Sequence, residues 1–285
     1  MSQNLLVKGK ELKEGYNPVA SAENAPLKFL EFGRLRLSQG ASHTFGPDDR
    51  ERAVTIFAGQ ADLTIVTQER GTEEYRALGG RPNVFGGKAT AIYLPRESRG
   101  ALVCLSAGLE AGIFSAPARR LTQPRVLLPE DLVCAQPGAA NWTRDVQTSI
   151  GNNVDADRLL VGETFNRPGC WSSYPPHKHD TLNPPVEYPA EEVYFFLVNP
   201  PQGFGIQRVY TAPGHPNPID GVYVVENGDT TILPAGYHPV AAAAGYTLYY
   251  CWGIAGEERR YGAWTDDPAH AWVKFAEPLL NAFQR

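Results

Sequence analysis

His177 and His179, one residue apart, are followed at a distance by the pair Glu191-Glu192 and by His238, and together they are the residues here whose types and spacing could do chemistry. On an extended strand side chains repeat every second position, so the imidazoles of His177-Lys178-His179 face one side and Lys178 the other. A carboxylate and a further imidazole from neighbouring strands would complete three nitrogens and one oxygen around a divalent cation, with positions left open for substrate. Structural zinc sites more often recruit cysteines and close their shell. The expected chemistry is therefore catalytic. Alternation over Glu191-Glu192-Val193-Tyr194-Phe195-Phe196 puts Glu192 with Tyr194 and Phe196, and Glu191 with Val193 and Phe195, without fixing which glutamate turns inward. A carboxylate on an aromatic face is costly to bury unless it is paired or ligates a metal. His43, His215 and His270 lack such company and are read as ordinary histidines.

The elements that must position these groups are short. Apolar or alternating runs such as Ala53–Phe57, Ala61–Val66, Thr90–Leu94, Leu159–Phe165, Glu192–Val198, Phe204–Tyr210 and Tyr246–Trp252 are each closed by Gly, Pro, Asn or Asp. Strands at such spacing read as a sandwich or barrel, and 28 glycines with 24 prolines argue against a helical bundle. Glu226-Asn227-Gly228-Asp229 carries the Asn-Gly pair of a tight hairpin. Ala116–Ile150 holds Pro117, Pro124, Pro129 and Pro137 and reads as a connector, so the expected division is 1–125, a linking stretch 126–150, and 151–285. Asp267-Pro268 has the form of a helix start, with Trp272, Phe275, Leu279 and Phe283 on one face and Pro278 interrupting.

Bulk properties narrow the partners. A net charge of −5 without any Lys/Arg-rich run argues against nucleic acid and anionic membranes, and no apolar stretch reaches spanning length. Met1–Tyr16 is polar and lacks the apolar core of a signal peptide, which makes the cytoplasm the default expectation. The cysteines at 104, 134, 170 and 251 form no CxxC pair; Cys104 and Cys251 lie in apolar runs and read as small buried hydrophobes.

The HxH, the Glu heading a strand and the later Gly-Tyr-His resemble the metal motifs of the cupin superfamily. More narrowly, SSYPPHKHD (172–180), EEVYFF (191–196), GFGIQRVYT (203–211), NGD (227–229), PAGYHP (234–239) and YYCWGIAG (249–256) resemble the 5-deoxy-glucuronate isomerase family of inositol catabolism, related to the 5-keto-4-deoxyuronate isomerases of pectin breakdown. The resemblance implies an all-β bicupin, two cupin or jelly-roll barrels with a short C-terminal helix, and a metal in the second barrel only. It implies His177, His179, Glu192 and His238 as ligands of one divalent ion (Zn, Mn, Fe, Co or Ni), and a homo-oligomer, dimer or hexamer. Glu192 is the position that matches the related uronate isomerases. The twelve residues 180–191 between HxH and Glu192 exceed the common cupin spacing and match the isomerase family instead.

The implied reaction is the aldose–ketose conversion of 5-deoxy-D-glucuronate to 5-dehydro-2-deoxy-D-gluconate. Its substrate carries a carboxylate, for which Arg208 is the first choice because arginine matches carboxylate geometry. Gln207 is its neighbour and faces the opposite side of that strand, so only one of the two should line a barrel interior. Tyr174, Tyr237 and Tyr249 lie in family motifs and are expected to hydrogen-bond sugar hydroxyls. No side chain is singled out as the base. The competing readings are a cupin dioxygenase using ferrous iron and a non-catalytic sugar-binding bicupin.

Overall fold

Alternating runs punctuated by glycine and proline become antiparallel strands, arranged as two sheet sandwiches, in a computed structural model that describes residues 4–283, of Phe283 the backbone only. The first sandwich pairs a six-stranded sheet with a four-stranded one. The larger runs in the order Arg125–Leu127, Ala91–Leu94, Arg50–Ala58, Gly108–Pro117, Glu31–Ser38, Gly15–Ala20. The smaller runs Ser42–Phe45, Arg99–Cys104, Gln60–Thr67, Gly71–Gly79. The second sandwich has a seven-stranded sheet in the order Leu6–Val7, Thr230–Leu233, Ala190–Asn199, Thr247–Gly256, Leu160–Asn166, Arg144–Ile150, Val133–Ala135. It faces a four-stranded sheet of Trp171–Ser172, Val240–Ala242, Phe204–Tyr210 and Asp220–Glu226. The all-β, two-barrel architecture with a short C-terminal helix is thus borne out.

Three apolar cores follow from this layering. One fills the first sandwich around Leu35, Ile56, Leu63 and Leu102, and another fills the second around Tyr194, Phe196, Tyr250 and Trp252. The remaining core lies between the two large sheets, where Phe32, Phe57 and Phe114 meet Phe195 and Tyr249. The strand Ala190–Asn199 is therefore buried on both faces: Glu192, Tyr194 and Phe196 look into the second barrel, Val193 and Phe195 toward the first. Backbones approach closely there, since a Cβ on Gly253 would lie 2.3 Å from Phe114 Cδ1.

Several local expectations are corrected. Residues 133–135 and 144–150 of the expected connector are strands of the second large sheet, and Arg125–Leu127 is an edge strand of the first. Proline density marked turns between short strands, not a loose link. Asn227-Gly228 does form a tight turn, with Gly228 at φ +93° and Asp229 N donating to Glu226 O at 3.1 Å. It does not close a hairpin, because Asp220–Glu226 pairs with Phe204–Tyr210 while Thr230–Leu233 pairs with Ala190–Asn199. The turn crosses from one sheet to the other. The helix begins at Val273 rather than at Asp267-Pro268, although Asp267 Oδ1 does accept Ala269 N at 2.9 Å. It continues through Pro278, and Trp272, Phe275 and Leu279 are exposed; the side chain of Phe283 lies outside the described residues. All four cysteines are free, with Cys104 and Cys251 buried.

Candidate metal centre

His177 and Lys178 form a two-residue strand against Thr265–Asp266, which anchors the start of the HxH segment. Lys178 turns away from the histidines, as alternation requires. Its ammonium reaches Asp180 Oδ1 at 2.5 Å, Thr181 Oγ1 at 2.7 Å and Glu187 Oε1 at 2.8 Å. Asp180 then ties this segment to the turn before His238, because its Oδ2 accepts Gly236 N at 2.8 Å and Gly236 O accepts His238 Nδ1 at 2.8 Å. Gly236, at φ +91°, supplies the backbone conformation that turn needs. Burial alone would raise the Asp180 carboxyl, but hydrogen bonds from Lys178 and Thr181 outweigh it and hold the group below its ordinary range.

The central trio is His179, Glu192 and His238, all buried, with one ligand atom from each lying within 4.8 Å of the others. His179 Nδ1 donates to Ala190 O at 2.9 Å, as His238 Nδ1 does to Gly236 O. Carbonyl oxygens only accept, so both rings carry a hydrogen on Nδ1 and, when neutral, present a bare Nε2 lone pair. These two nitrogens approach the same oxygen, Glu192 Oε2, at 3.2 and 3.3 Å. Lone pairs facing a carboxylate repel one another unless positive charge lies among them. His238 Nε2 is buried with no hydrogen-bond partner, an orphaned lone pair that suits a metal ligand. Burial pulls His179 toward neutrality and the Glu192 carboxylate more than offsets it. One proton could serve that pair, whereas a divalent cation serves all three groups at once. The donor set fits a metal.

His177 borders the same space, its ring centroid 4.8 Å from that of His238 and 6.5 Å from that of His179, but it stands outside the tight trio. Burial, and then the neighbouring His238 and His179 rings, hold its imidazole well below the usual range, so it is neutral and able to donate a lone pair. Glu191 points the other way, accepting Lys28 N and Phe29 N at 2.6 Å each and also Leu30 N. In the first sandwich Arg52 pairs with Leu94 at the register where Glu192 pairs with Leu233. An arginine thus stands where the second barrel has its carboxylate.

A profile of the KduI/IolB family matches residues 5–273. The chain belongs to that family. Among its relatives, the 5-deoxy-glucuronate isomerase of Geobacillus thermodenitrificans is 34% identical with 100% of both chains covered. The enzyme of the same name from Halalkalibacterium halodurans is 34% identical over 92% of this chain and 95% of its own. The crystal structure of an IolB-like protein from Salmonella typhimurium superposes with a TM-score of 0.87 at 32% identity, covering 95% of this chain and 100% of that one. Oxalate decarboxylase from Lactobacillus farciminis, at 13% identity and a TM-score of 0.68 over 93% of this chain and 89% of its own, shares the fold.

In this KduI/IolB member a cavity of about 280 Å³ opens onto His177 and Glu192, and its wall includes Arg144, Ser173, Tyr194 and Tyr250. The expected substrate contacts fare unevenly. Arg208 is corrected: it is exposed, its guanidinium 4.0 Å over the Tyr210 ring and 3.6 Å from Asp220, because strand alternation turns it out of the barrel. Gln207 is the inward neighbour, fully buried, donating to His238 O at 3.4 Å and accepting from Thr231 Oγ1 at 2.5 Å. It braces the His238 turn and is not part of the cavity wall. Tyr249 is corrected too, since it faces the core between the barrels and donates to Glu163 Oε1 at 2.6 Å. Tyr174 packs on Trp171 and near His270, and Tyr237 on Tyr210, neither lining the cavity.

Several residues that line it were not singled out as substrate contacts in the sequence. Tyr194, Tyr250 and Trp252 are readable in hindsight as the partners of Glu192 under period-two alternation across Ala190–Asn199 and Thr247–Gly256. Arg144 lay in the stretch read as a connector, yet Arg144 and Val146 alternate toward the same face.

Proposed function

We propose that this chain isomerises 5-deoxy-D-glucuronate to 5-dehydro-2-deoxy-D-gluconate, a step of myo-inositol catabolism. One observation carries the reading: the lone pairs of His179 and His238 meet a single Glu192 oxygen at the wall of a sugar-sized cavity. Relatives named for this reaction along the whole chain support the substrate. They do not favour the dioxygenase or the non-catalytic reading.

The conversion moves a hydrogen from C2 to C1, releases the hydroxyl proton of O2 and protonates O1. Negative charge develops on these oxygens whichever way the hydrogen travels. A divalent ion held by His179, Glu192 and His238, with His177 as fourth ligand, would supply Lewis-acid stabilisation of that charge, and zinc, manganese, iron, cobalt or nickel suits the donors. The remaining work falls to side chains. Burial, then the nearby Glu192 charge, raises the Tyr194 hydroxyl far above its usual range, so it keeps its proton and serves as a fixed donor. Ser173 Oγ lies 3.1 Å from that hydroxyl, and Tyr250 OH donates to Ser172 Oγ at 2.8 Å, which locks both rings before substrate arrives. Trp252 and Trp264 add apolar surface to the wall.

Exposed Trp272, Phe275 and Leu279 support association of the chain into a dimer or hexamer. The function is tested by following 5-deoxy-glucuronate with purified protein by NMR while recording dissolved oxygen. Conversion to the 5-keto acid without oxygen uptake is expected. Unchanged substrate, or oxygen consumed in step with its loss, contradicts the proposal.

A further inference from the structure

We propose that Arg144 receives the substrate carboxylate, its free guanidinium edge forming the acid-recognising part of the cavity whose wall also carries His177 and Glu192. The inference rests on the isomerase reading for the identity of the acid, but not for the existence of an anion site. Arg144 opens the strand Arg144–Ile150, and register carries its inward row across the sheet from Val146 to Thr164 to Tyr250, all lining the same cavity. Among the described residues it has no ion-pair partner. Its Nη1 donates to Tyr174 O at 3.1 Å and Trp142 O at 3.4 Å, and among the described residues these are the hydrogen bonds of its guanidinium. The Nε and Nη2 positions, the edge that binds a carboxylate with two parallel hydrogen bonds, are left for something else.

Other arginines of comparable setting are committed. Arg81 is paired with Glu163, Arg158 with Glu257 and Arg34 with Glu110. Arg259 lacks a carboxylate but donates through Nε to Leu159 O at 2.7 Å and through Nη2 to Gly151 O at 2.5 Å. Beside burial and the Tyr250 ring, the carboxylate that acts on Arg144 is Glu277, and its Oε1 already accepts Trp142 Nε1 at 3.0 Å. A half-buried cation facing a cavity without its own counter-ion is set to take one from the ligand. Trp142, Tyr174 and the barrel wall fix its aim. A sugar acid lying in the cavity would then present its aldehyde end to the histidines and its carboxylate to Arg144, which orients C1 and C2 toward the cluster and favours the acid over a neutral sugar.

The test compares wild type with Arg144→Gln and Arg144→Lys on 5-deoxy-glucuronate and on neutral 5-deoxy-glucose, with melting temperature and metal content recorded for each protein. The expected result is a fall of about a hundredfold in kcat/KM for the acid in R144Q, smaller in R144K, with activity on the neutral sugar unchanged. An equal loss on both sugars, or none on the acid, overturns the assignment. Calorimetric titration with glucuronate separates this from the parent reading. If wild type does not isomerise 5-deoxy-glucuronate, that reading fails, while an affinity for glucuronate at least about thirtyfold weaker in R144Q sustains the anion site and an unchanged one removes it.

Discussion

At His179 and His238 the backbone decides the chemistry, because carbonyl acceptors at Ala190 and Gly236 fix which ring nitrogen is bare. Glu192→Gln should cut bound metal to a small fraction of one per chain and lower turnover by at least about a hundredfold, since the cation loses its anionic ligand. Elemental analysis beside the kinetics checks both halves. Asp180→Asn acts one step removed, through Gly236, and should weaken metal affinity by about ten- to a hundredfold while the protein still folds. Asp180 also sets an acid limit. Its pKa in the folded chain lies below the ordinary 3.8, so its contribution to stability is present above that value and is lost as pH falls through the lowered one. Lys178 is the mirror case: burial opposes its charge, but the Asp180 and Glu187 hydrogen bonds hold its pKa above 10.5, so its share persists below that value and fades as pH climbs through the raised one. Melting temperatures of Asp180→Asn and wild type should therefore converge as pH drops below about 4. A constant gap down to pH 2 would contradict the pairing.

Strand faces explain both what the sequence disclosed and what it hid. The candidate metal ligands could be read because HxH alternation and the Glu192 face have a period of two that does not depend on the rest of the fold. Tyr249 was misjudged because Thr247–Gly256 is buried on both sides, so alternation separates its faces without saying which is the barrel interior. Arg144 was missed because prolines at 117, 124, 129 and 137 suggested a link where two strands join the sheet. Asn227-Gly228 gave a correct turn and a wrong partner, since turn chemistry fixes local geometry but not which sheet receives the next strand. The buried pair Arg81–Glu163, at 2.6 Å with Tyr249 on the same carboxylate, bridges the two barrels. Arg81→Ala should destabilise the chain by about 3–5 kcal/mol by stranding that carboxylate, seen as a lower urea midpoint. A change under about 0.5 kcal/mol would show the pair to be incidental.

Across the whole molecule, each barrel grips the segment just before the other's strand Glu31–Ser38 or Leu160–Asn166 with a glutamate from the same register position. Glu51 accepts the backbone N–H groups of Asp157, Arg158 and Leu159, as Glu191 accepts those of Lys28, Phe29 and Leu30. The neighbouring position is Arg52 in the first barrel and Glu192 in the second, so the candidate metal cluster has its carboxylate in the second barrel alone of these two positions. Light scattering should report a mass that is a multiple of 31.2 kDa, and Phe275→Glu should reduce it; a monomer at tens of micromolar would remove the assembly expectation. The account turns above all on a cation at the second barrel's cluster. Anomalous diffraction from crystals of the active, unchelated protein, recorded across metal absorption edges, addresses it directly. The prediction is one strong peak bounded by His179 Nε2, Glu192 Oε2 and His238 Nε2 and facing His177, whereas an active protein with no anomalous density there would contradict it.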